Sequence, residues 1–231
     1  MTVGRYVSLL LPLQPAAGCS GQAEAPPVEQ ANTSVGQQVE QSQGDERLVL
    51  ALGDSLYAGY GVGQDESFPA ALERALEQRG LPAKVVNAGV SGDTSAGGRA
   101  RLAFTLDGLE RSPDLVLVGL GANDALRGLD PARTRANLDA ILAELKRRGI
   151  PVVLTGMIAP RNMDQAYFRA FDSIYPDLAK KYGAALDPFF MEGVITNRGL
   201  LLGDGLHPNA AGIRKMAERV APLAEQRLKQ D

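Results

Sequence analysis

The sequence is poor in the residues that usually build disulfides and metal sites. It has one cysteine, one histidine and no tryptophan among 231 residues. The single cysteine, Cys19, cannot form a disulfide within the chain, and one histidine argues against a zinc site. The chain also lacks a large excess of either charge, since its formal net charge is −3, so no strong field attracts nucleic acid. We therefore expect a monomer with no cofactor, no metal and no nucleic-acid partner.

The amino end differs from the rest of the chain. Residues 1–19 combine an early Arg5, an apolar stretch that ends at Leu13, and small residues directly before Cys19. This pattern resembles a bacterial lipoprotein signal peptide, whose cysteine becomes acylated. The apolar stretch is short, which a start codon assigned too far downstream would explain; the alternative is a disordered leader with a chance cysteine. We expect an exported, periplasmic protein, anchored to the membrane if Cys19 is acylated.

A second compositional change occurs near Arg47. Residues 20–46 are rich in Gln, Ser, Gly, Pro and Glu, and valine is their only larger aliphatic residue. Such a segment cannot bury enough apolar surface to offset the entropy of ordering, which predicts a flexible linker. Residues 47–231 have ordinary globular composition and are long enough to form one domain with a sizeable core.

Short apolar runs alternate with amphipathic segments throughout that domain. A strand followed repeatedly by a helix predicts an α/β fold with a mostly parallel sheet of about five strands, covered on both faces. Two helices have clear start signals, a cap at Ser67 and a cap at Asp130 followed by Pro131. The segment 164–183 is helical in pattern but contains Pro176. The predicted strands are RLVLALG, AKVVNAGV, DLVLVGL, IPVVLTGM and AALD.

Small and polar residues are concentrated in four loops. Three of these loops follow the first three predicted strands, and the fourth, GDGLHPNAAG, precedes the last helix. Because the carboxyl ends of parallel strands share one edge of a sheet, these loops are expected to converge on one crevice.

One serine in these loops has the partners that a nucleophile needs. Ser55 follows the first strand; its hydroxyl requires a base, and the only histidine is His207. Asp204 lies three residues earlier, at a spacing that lets its carboxylate orient the imidazole ring. Ester hydrolysis should then fall as the pH drops far enough to protonate His207. Taken singly, a serine at position 55 is also typical of turns and helix caps, and a lone histidine is more often a structural residue than a catalytic one.

Acyl transfer also requires donors for the developing oxyanion. The candidates are the backbone N–H groups of Ser55 and Gly92 and the side-chain amide of Asn123. Asn and Gly are common in turns, so each candidate is weak alone. Together they supply what Ser55 would require.

The combination of these motifs resembles the GDSL, or SGNH, hydrolase family, and more narrowly its branch of periplasmic arylesterases, acyl-CoA thioesterase I and lysophospholipases. The similarity extends from about Leu48 to Leu228, and this branch often has a second glycine where the chain has GAND. The four blocks are GDSL (53–56), SGDTS (91–95), GAND (121–124) and DGLHP (204–208).

The resemblance implies a flavodoxin-like three-layer α/β/α fold and a serine esterase that acts on carboxylic esters and thioesters through an acyl-enzyme. It implies that Ser55 is the nucleophile, His207 the base and Asp204 its orienting acid. It also implies that Gly92 and Asn123 complete the oxyanion hole with Ser55. The physiological substrate stays open.

Other interpretations fit less well. A Gly-x-Ser-x-Gly elbow would need glycine at Tyr57, and a Ser-x-x-Lys site would need lysine at Ala58. GLGAND lacks the third glycine of a dinucleotide fingerprint. Four side chains could together hold a divalent ion: Asp54, Asp124, Asp204 and His207.

Two functional alternatives and one structural alternative remain open. A carbohydrate O-deacetylase would share the catalytic residues, and a lipid-anchored binding protein could use the same crevice without catalysis. The ALRGLD loop at 125–130 and the aromatic residues of 167–175, including Phe168 and Phe171, are candidates for the wall of an acyl pocket. The aromatic residues could equally belong to the core.

Overall fold

A computed structural model describes residues 46–230 of the protein. The predicted signal peptide with Cys19, and the predicted linker except Glu46, lie outside these residues. The strands are β1 (Arg47–Gly53), β2 (Ala83–Gly89), β3 (Leu115–Gly119), β4 (Val152–Thr155) and β5 (Ala185–Asp187). The α-helices are α1 (Ser55–Ala58), α2 (Phe68–Gln78), α3 (Ser95–Asp107), α4 (Ala122–Leu126), α5 (Pro131–Arg147), α6 (Gln165–Asp172), α7 (Ile174–Tyr182) and α8 (Ala210–Leu228). Short 3₁₀ helices span Gln64–Glu66 and Arg198–Leu200.

The five strands form one parallel sheet in the order β2-β1-β3-β4-β5. This order is that of the flavodoxin-like doubly wound folds, so the predicted fold class is confirmed. The chain moves from β1 to β2 and then returns past β1 to β3, which places the reversal of direction between β1 and β3. Gly53 and Gly119 pair at the carboxyl ends of those strands. A crevice at this position is the usual ligand site of such a sheet.

The sheet is buried on both faces, and its residues alternate between two cores. Val49 and Ala51 of β1 pack toward α2 and α8, and Leu50 and Leu52 pack toward α3, α5 and α7. All four side chains have no exposed surface. Parallel strands enclosed by helices need continuous apolar runs, which explains why RLVLALG does not alternate with polar residues.

One predicted helix is divided in two. The segment 164–183 forms α6 and α7, which meet at Ser173, instead of one helix that contains a proline. Pro176 lies in the first turn of α7, where a backbone N–H would have no helical acceptor, so proline is tolerated there. No helix among residues 46–230 is both long enough and apolar enough to span a bilayer.

Candidate active site

The turn from β1 to α1 presents Ser55 at the crevice. Gly53 ends the strand, and a Cβ at this position would lie 2.3 Å from the ring of Tyr57, so only glycine fits. The carboxylate of Asp54 accepts the N–H of Leu56 at 3.0 Å and caps α1. Tyr57 is fully buried beneath the turn, and its hydroxyl is hydrogen-bonded to Thr155 Oγ1 at 2.9 Å. The position of Ser55 is therefore fixed from below by packing.

His207 and Ser55, which are 152 residues apart in sequence, are in hydrogen-bond contact. His207 Nε2 lies 3.0 Å from Ser55 Oγ, and His207 Nδ1 lies 2.6 Å from Asp204 Oδ2. When Nδ1 carries the proton and donates to Asp204, Nε2 is free to accept the proton of the Ser55 hydroxyl. The three side chains form the continuous hydrogen-bonded chain that a catalytic acid, base and nucleophile would require.

The Asp204 carboxylate is held in its ionised form. Its Oδ1 accepts the backbone N–H groups of His207 at 3.0 Å and Leu206 at 2.9 Å. The hydrogen bond from the His207 N–H has the largest effect on the Asp204 carboxylate, followed by that from the Leu206 N–H and that from the His207 ring. Together they lower the pKa of Asp204 to about 2. The loop is held in place by a backbone hydrogen bond from Leu202 N–H to His207 O at 2.8 Å. Asp204 is therefore ionised at neutral pH, where its charge can orient the imidazole ring.

Tyr60 covers the imidazole ring of His207, and the sequence reasoning missed it. The two ring centroids are 4.3 Å apart, and the ring planes are inclined by 34°. The Tyr60 side chain is half exposed, so it forms part of the entrance to the crevice. Its only sequence signal was its place five residues after Ser55.

The loop that carries Gly92 contacts Asn123, and Asn123 lines the same cavity as Ser55. Gly92 has a φ of 82°, a left-handed conformation that favours glycine. Asn123 lies in α4, and its Nδ2 donates one hydrogen bond to the carbonyl oxygen of Asp93 at 2.9 Å. This contact fixes the amide of Asn123 next to the Gly92 loop and leaves its second N–H for another acceptor. Ser55, Asn123 and His207 line the same cavity.

That cavity has a volume of about 510 Å³ and is largely apolar. Ala125 and Leu126 of the predicted 125–130 loop line it, together with two segments that the sequence reasoning missed, 157–161 and 189–196. The full set of lining residues is Ser55, Leu56, Ala122, Asn123, Ala125, Leu126, Met157, Ile158, Ala159, Pro160, Arg161, Phe189, Met191, Ile195, Thr196, Leu206 and His207. The sequence feature that could have identified segment 157–161 as part of the cavity is its position directly after β4, at the carboxyl edge of the sheet.

The aromatic residues of α6 do not line this cavity. Phe171 is completely buried in the core, where its ring lies 5.9 Å from that of Tyr175. Phe168 packs against the same core and lies under the guanidinium of Arg161, 4.9 Å from the ring centroid. The pocket-wall interpretation of Phe168 and Phe171 is therefore wrong, because Phe171 lies in the core and Phe168 packs between that core and the Arg161 side chain.

The aspartates considered for a metal have other partners. Asp124 is buried and accepts hydrogen bonds from Ser95 N–H at 2.8 Å, Ser95 Oγ at 2.5 Å and Thr134 Oγ1 at 3.1 Å. It thereby joins α3, α4 and α5. Among residues 46–230, no three or more His, Cys, Asp or Glu side chains are grouped to hold a metal ion.

Asp54, which directly precedes Ser55, is only 2% exposed. Burial raises the pKa of Asp54 to about 7, and the charges of Asp93 and Asp124 add smaller increases. The hydrogen bond from Leu56 N–H acts in the opposite direction and lowers this pKa. The folded state therefore binds more protons than the unfolded state between about pH 4 and pH 7. Over this window the free energy of unfolding should fall as the pH rises, by on the order of 4 kcal/mol from this group.

Asp54→Asn should remove this pH dependence, since an amide oxygen still accepts the Leu56 N–H but does not titrate. We expect the variant to gain stability relative to the wild type between pH 5 and pH 8. Urea unfolding at both pH values measures this, with the exposed Asp65→Asn as control. Parallel pH curves for the wild type and Asp54→Asn would contradict the prediction.

Comparison with known proteins shows the family of this chain. Residues 51–215 match the model of the GDSL-like Lipase/Acylhydrolase family. The chain is 43% identical over 180 residues to an arylesterase of Vibrio mimicus, covering 78% of this chain and 88% of the relative. It is 42% identical over 161 residues to thioesterase 1/protease 1/lysophospholipase L1 of Escherichia coli K12, covering 70% and 75%.

Among solved structures, the chain is also similar to esterases. The crystal structure of AlinE4, described as an SGNH-hydrolase family esterase, is 49% identical and superposes with a TM-score of 0.69. The match covers 80% of this chain and 98% of AlinE4.

Proposed function

Because the chain belongs to the GDSL-like lipase/acylhydrolase family and is an ester-hydrolysing enzyme, we propose that Ser55 is its nucleophile. His207 is the general base in this proposal, and Asp204 orients it. The single observation that carries the proposal is the hydrogen-bonded chain from Asp204 through His207 to Ser55, at 2.6 Å and 3.0 Å.

The reaction begins with proton transfer from the Ser55 hydroxyl to His207 Nε2. The Ser55 oxygen forms a bond to the acyl carbon, and the carbonyl π electrons move to the oxygen to give an oxyanion. The tetrahedral intermediate then collapses, the bond to the alcohol or thiol breaks, and His207 returns the proton to that leaving group. Water repeats the sequence on the acyl-enzyme and releases the acid.

The oxyanion is bound by the N–H groups of Ser55 and Gly92 and by the side-chain amide of Asn123. Donors that are already in position cost no reorganisation when the charge develops, which is why such groups lower the barrier. Support for this assignment comes from the Asn123 amide, because its bond to Asp93 O leaves one N–H unused. The negative charge of Asp204 stabilises the imidazolium that forms at the same moment.

The substrate class is a carboxylic ester or thioester with an apolar acyl or aryl part. The lining of the cavity contains aliphatic side chains and methionines, which bind such groups by burial of apolar surface. A carbohydrate O-deacetylase would need room for a hydrated sugar beside Ser55, and the acyl part of its substrate would be only an acetyl group. We place it second for this reason.

Acyl-chain preference separates these two substrates. Each methylene that enters the cavity contributes about 0.8 kcal/mol, so kcat/KM on p-nitrophenyl esters should rise about fourfold per methylene from acetyl until the cavity is filled. Met157→Ala, which enlarges the cavity, should move the optimum to longer chains. Met163→Ala, outside the cavity lining, should leave it unchanged. An optimum at acetyl, falling steadily toward palmitoyl, would favour the deacetylase.

Export and anchoring are separate proposals that rest on residues 1–19. A periplasmic location, with acylation of Cys19, would place the enzyme near lipid-derived esters at the end of a linker. Mass spectrometry of the protein isolated from a cell envelope tests this, because acylation adds the mass of the lipid to a chain that begins at Cys19.

A further inference from the structure

Arg101 connects the two loops that supply the proposed oxyanion hole, although no sequence motif points to it. It lies on α3, and its Nε donates to Asp93 Oδ2 at 2.7 Å. One of its terminal nitrogens donates to the carbonyl oxygen of Gly53 at 2.9 Å. Asp93 directly follows Gly92, and Gly53 is two residues before Ser55. A single side chain therefore joins the end of β1 to the β2–α3 loop.

Asp93 is itself held in one orientation. Its carboxylate packs against the backbone of Gly97, where an added Cβ would lie 2.1 Å from Asp93 Oδ1. Its carbonyl oxygen accepts the Nδ2 hydrogen bond of Asn123 at 2.9 Å. Asp93 thus contacts the third proposed donor through its backbone and Arg101 through its side chain.

The Arg101 and Asp93 side chains are shielded from solvent, at 21% and 16% exposed. A charge-assisted hydrogen bond in such a place is stronger and better oriented than an exposed ion pair. The planar guanidinium donates in two directions at fixed angles, to a carboxylate and to a carbonyl, which an ammonium group does not reproduce. Arg127 holds the same loop from the solvent side, through its hydrogen bond to Gly92 O at 2.8 Å.

We propose that Arg101 is a positioning residue for the oxyanion hole, an inference that rests on the proposed function. The donors of Ser55 and Gly92 belong to different loops, and they must lie about 2.7 to 3.1 Å from one oxyanion. Gly53 O also accepts the backbone N–H of Val90 at 3.0 Å, and Arg101 extends this link past Gly92 by binding Gly53 O on one side and Asp93 on the other. It contacts neither substrate nor the reacting atoms, and it acts only through the loops.

The test compares Arg101→Gln and Arg101→Lys with Arg99→Gln. Arg99 lies on the same helix, is exposed, and donates to Asn137 at 3.3 Å, so its variant controls for loss of a charge on α3. A loop displacement of about 1 Å can cost up to about 100-fold in rate. We expect kcat to fall about 10- to 100-fold in both Arg101 variants, with KM changed less than about threefold, since oxyanion donors act in the transition state.

A second readout distinguishes positioning from simple structural support. A trifluoromethyl ketone carrying the preferred acyl chain forms a tetrahedral adduct with serine and carries the same oxyanion. Its affinity should fall by the same factor as kcat in the Arg101 variants and stay unchanged in Arg99→Gln. Arg101→Lys keeps the charge, so it provides a folded variant if Arg101→Gln does not fold.

A lower melting temperature with unchanged kcat and unchanged inhibitor affinity would overturn the proposal, and so would a change confined to KM. Ser55→Ala, measured in the same assays, separates failure of the proposed function from failure of the positioning role of Arg101. If the activity does not depend on Ser55, the proposed function fails. If it depends on Ser55 but not on Arg101, only the positioning role fails.

Discussion

Ser55→Ala should reduce kcat for p-nitrophenyl ester hydrolysis by about 10⁶-fold, because it removes the hydroxyl that is hydrogen-bonded to the His207 ring. Removal of the nucleophile eliminates the acyl-enzyme pathway and leaves only the oxyanion donors and substrate binding. In serine hydrolases these alone give a residual acceleration of about 10³ to 10⁴ over water. The measurement is kcat on acetyl to palmitoyl esters, with protein that starts at Arg47.

The control for this substitution is Ser112→Ala, which removes an exposed hydroxyl far from the crevice. It should have wild-type activity. Unfolding of Ser55→Ala should match the wild type, since among residues 46–230 the hydroxyl it removes has a single side-chain partner, the exchangeable His207 ring. Full activity in Ser55→Ala would exclude Ser55 as the nucleophile. A folded wild type that is inactive on every ester would favour the binding-protein alternative.

His207→Ala should lower kcat by an amount comparable to that of Ser55→Ala, because the serine hydroxyl is not nucleophilic without a base. The double variant Ser55→Ala/His207→Ala should be no slower than either single variant, since the two residues act as one unit. Asp204→Asn should cost less, about 10⁴-fold, because the ring keeps its place while its favoured tautomer is lost. Steady-state kinetics on one well-hydrolysed ester measures all four variants.

Additive losses in the double variant would mean that the two residues act independently, and the 3.0 Å contact between Ser55 and His207 would then have no catalytic meaning. A loss for Asp204→Asn equal to that for His207→Ala would indicate that Asp204 also fixes the ring position. The two backbone N–H groups bound by Asp204 Oδ1 favour the smaller loss instead, because an asparagine amide oxygen in the same position still accepts them.

Much of the fold could be predicted because its signals are local. Each strand is a continuous apolar run between breakers, and burial by helices on both faces is what makes such runs necessary. The break at Ser173 was missed because Ile174 continues the helical apolar pattern. Pro176 was visible in the sequence, but only the packing of α6 and α7 decides that it lies in a first turn.

The sequence by itself determined the α/β fold and the chemical groups of the candidate site. The candidate orienting acid and base, Asp204 and His207, follow from residue type and short spacing, and the candidate nucleophile Ser55 follows from the four motifs taken together. Only the tertiary structure decided what surrounds them: Tyr60 over the imidazole, Met157 in the cavity wall, Phe171 in the core, and Arg101 between two loops. The physical reason is that cavities and bridging hydrogen bonds arise between segments distant in sequence. Their formation depends on the directions of side chains at the sheet edge, which no local pattern encodes.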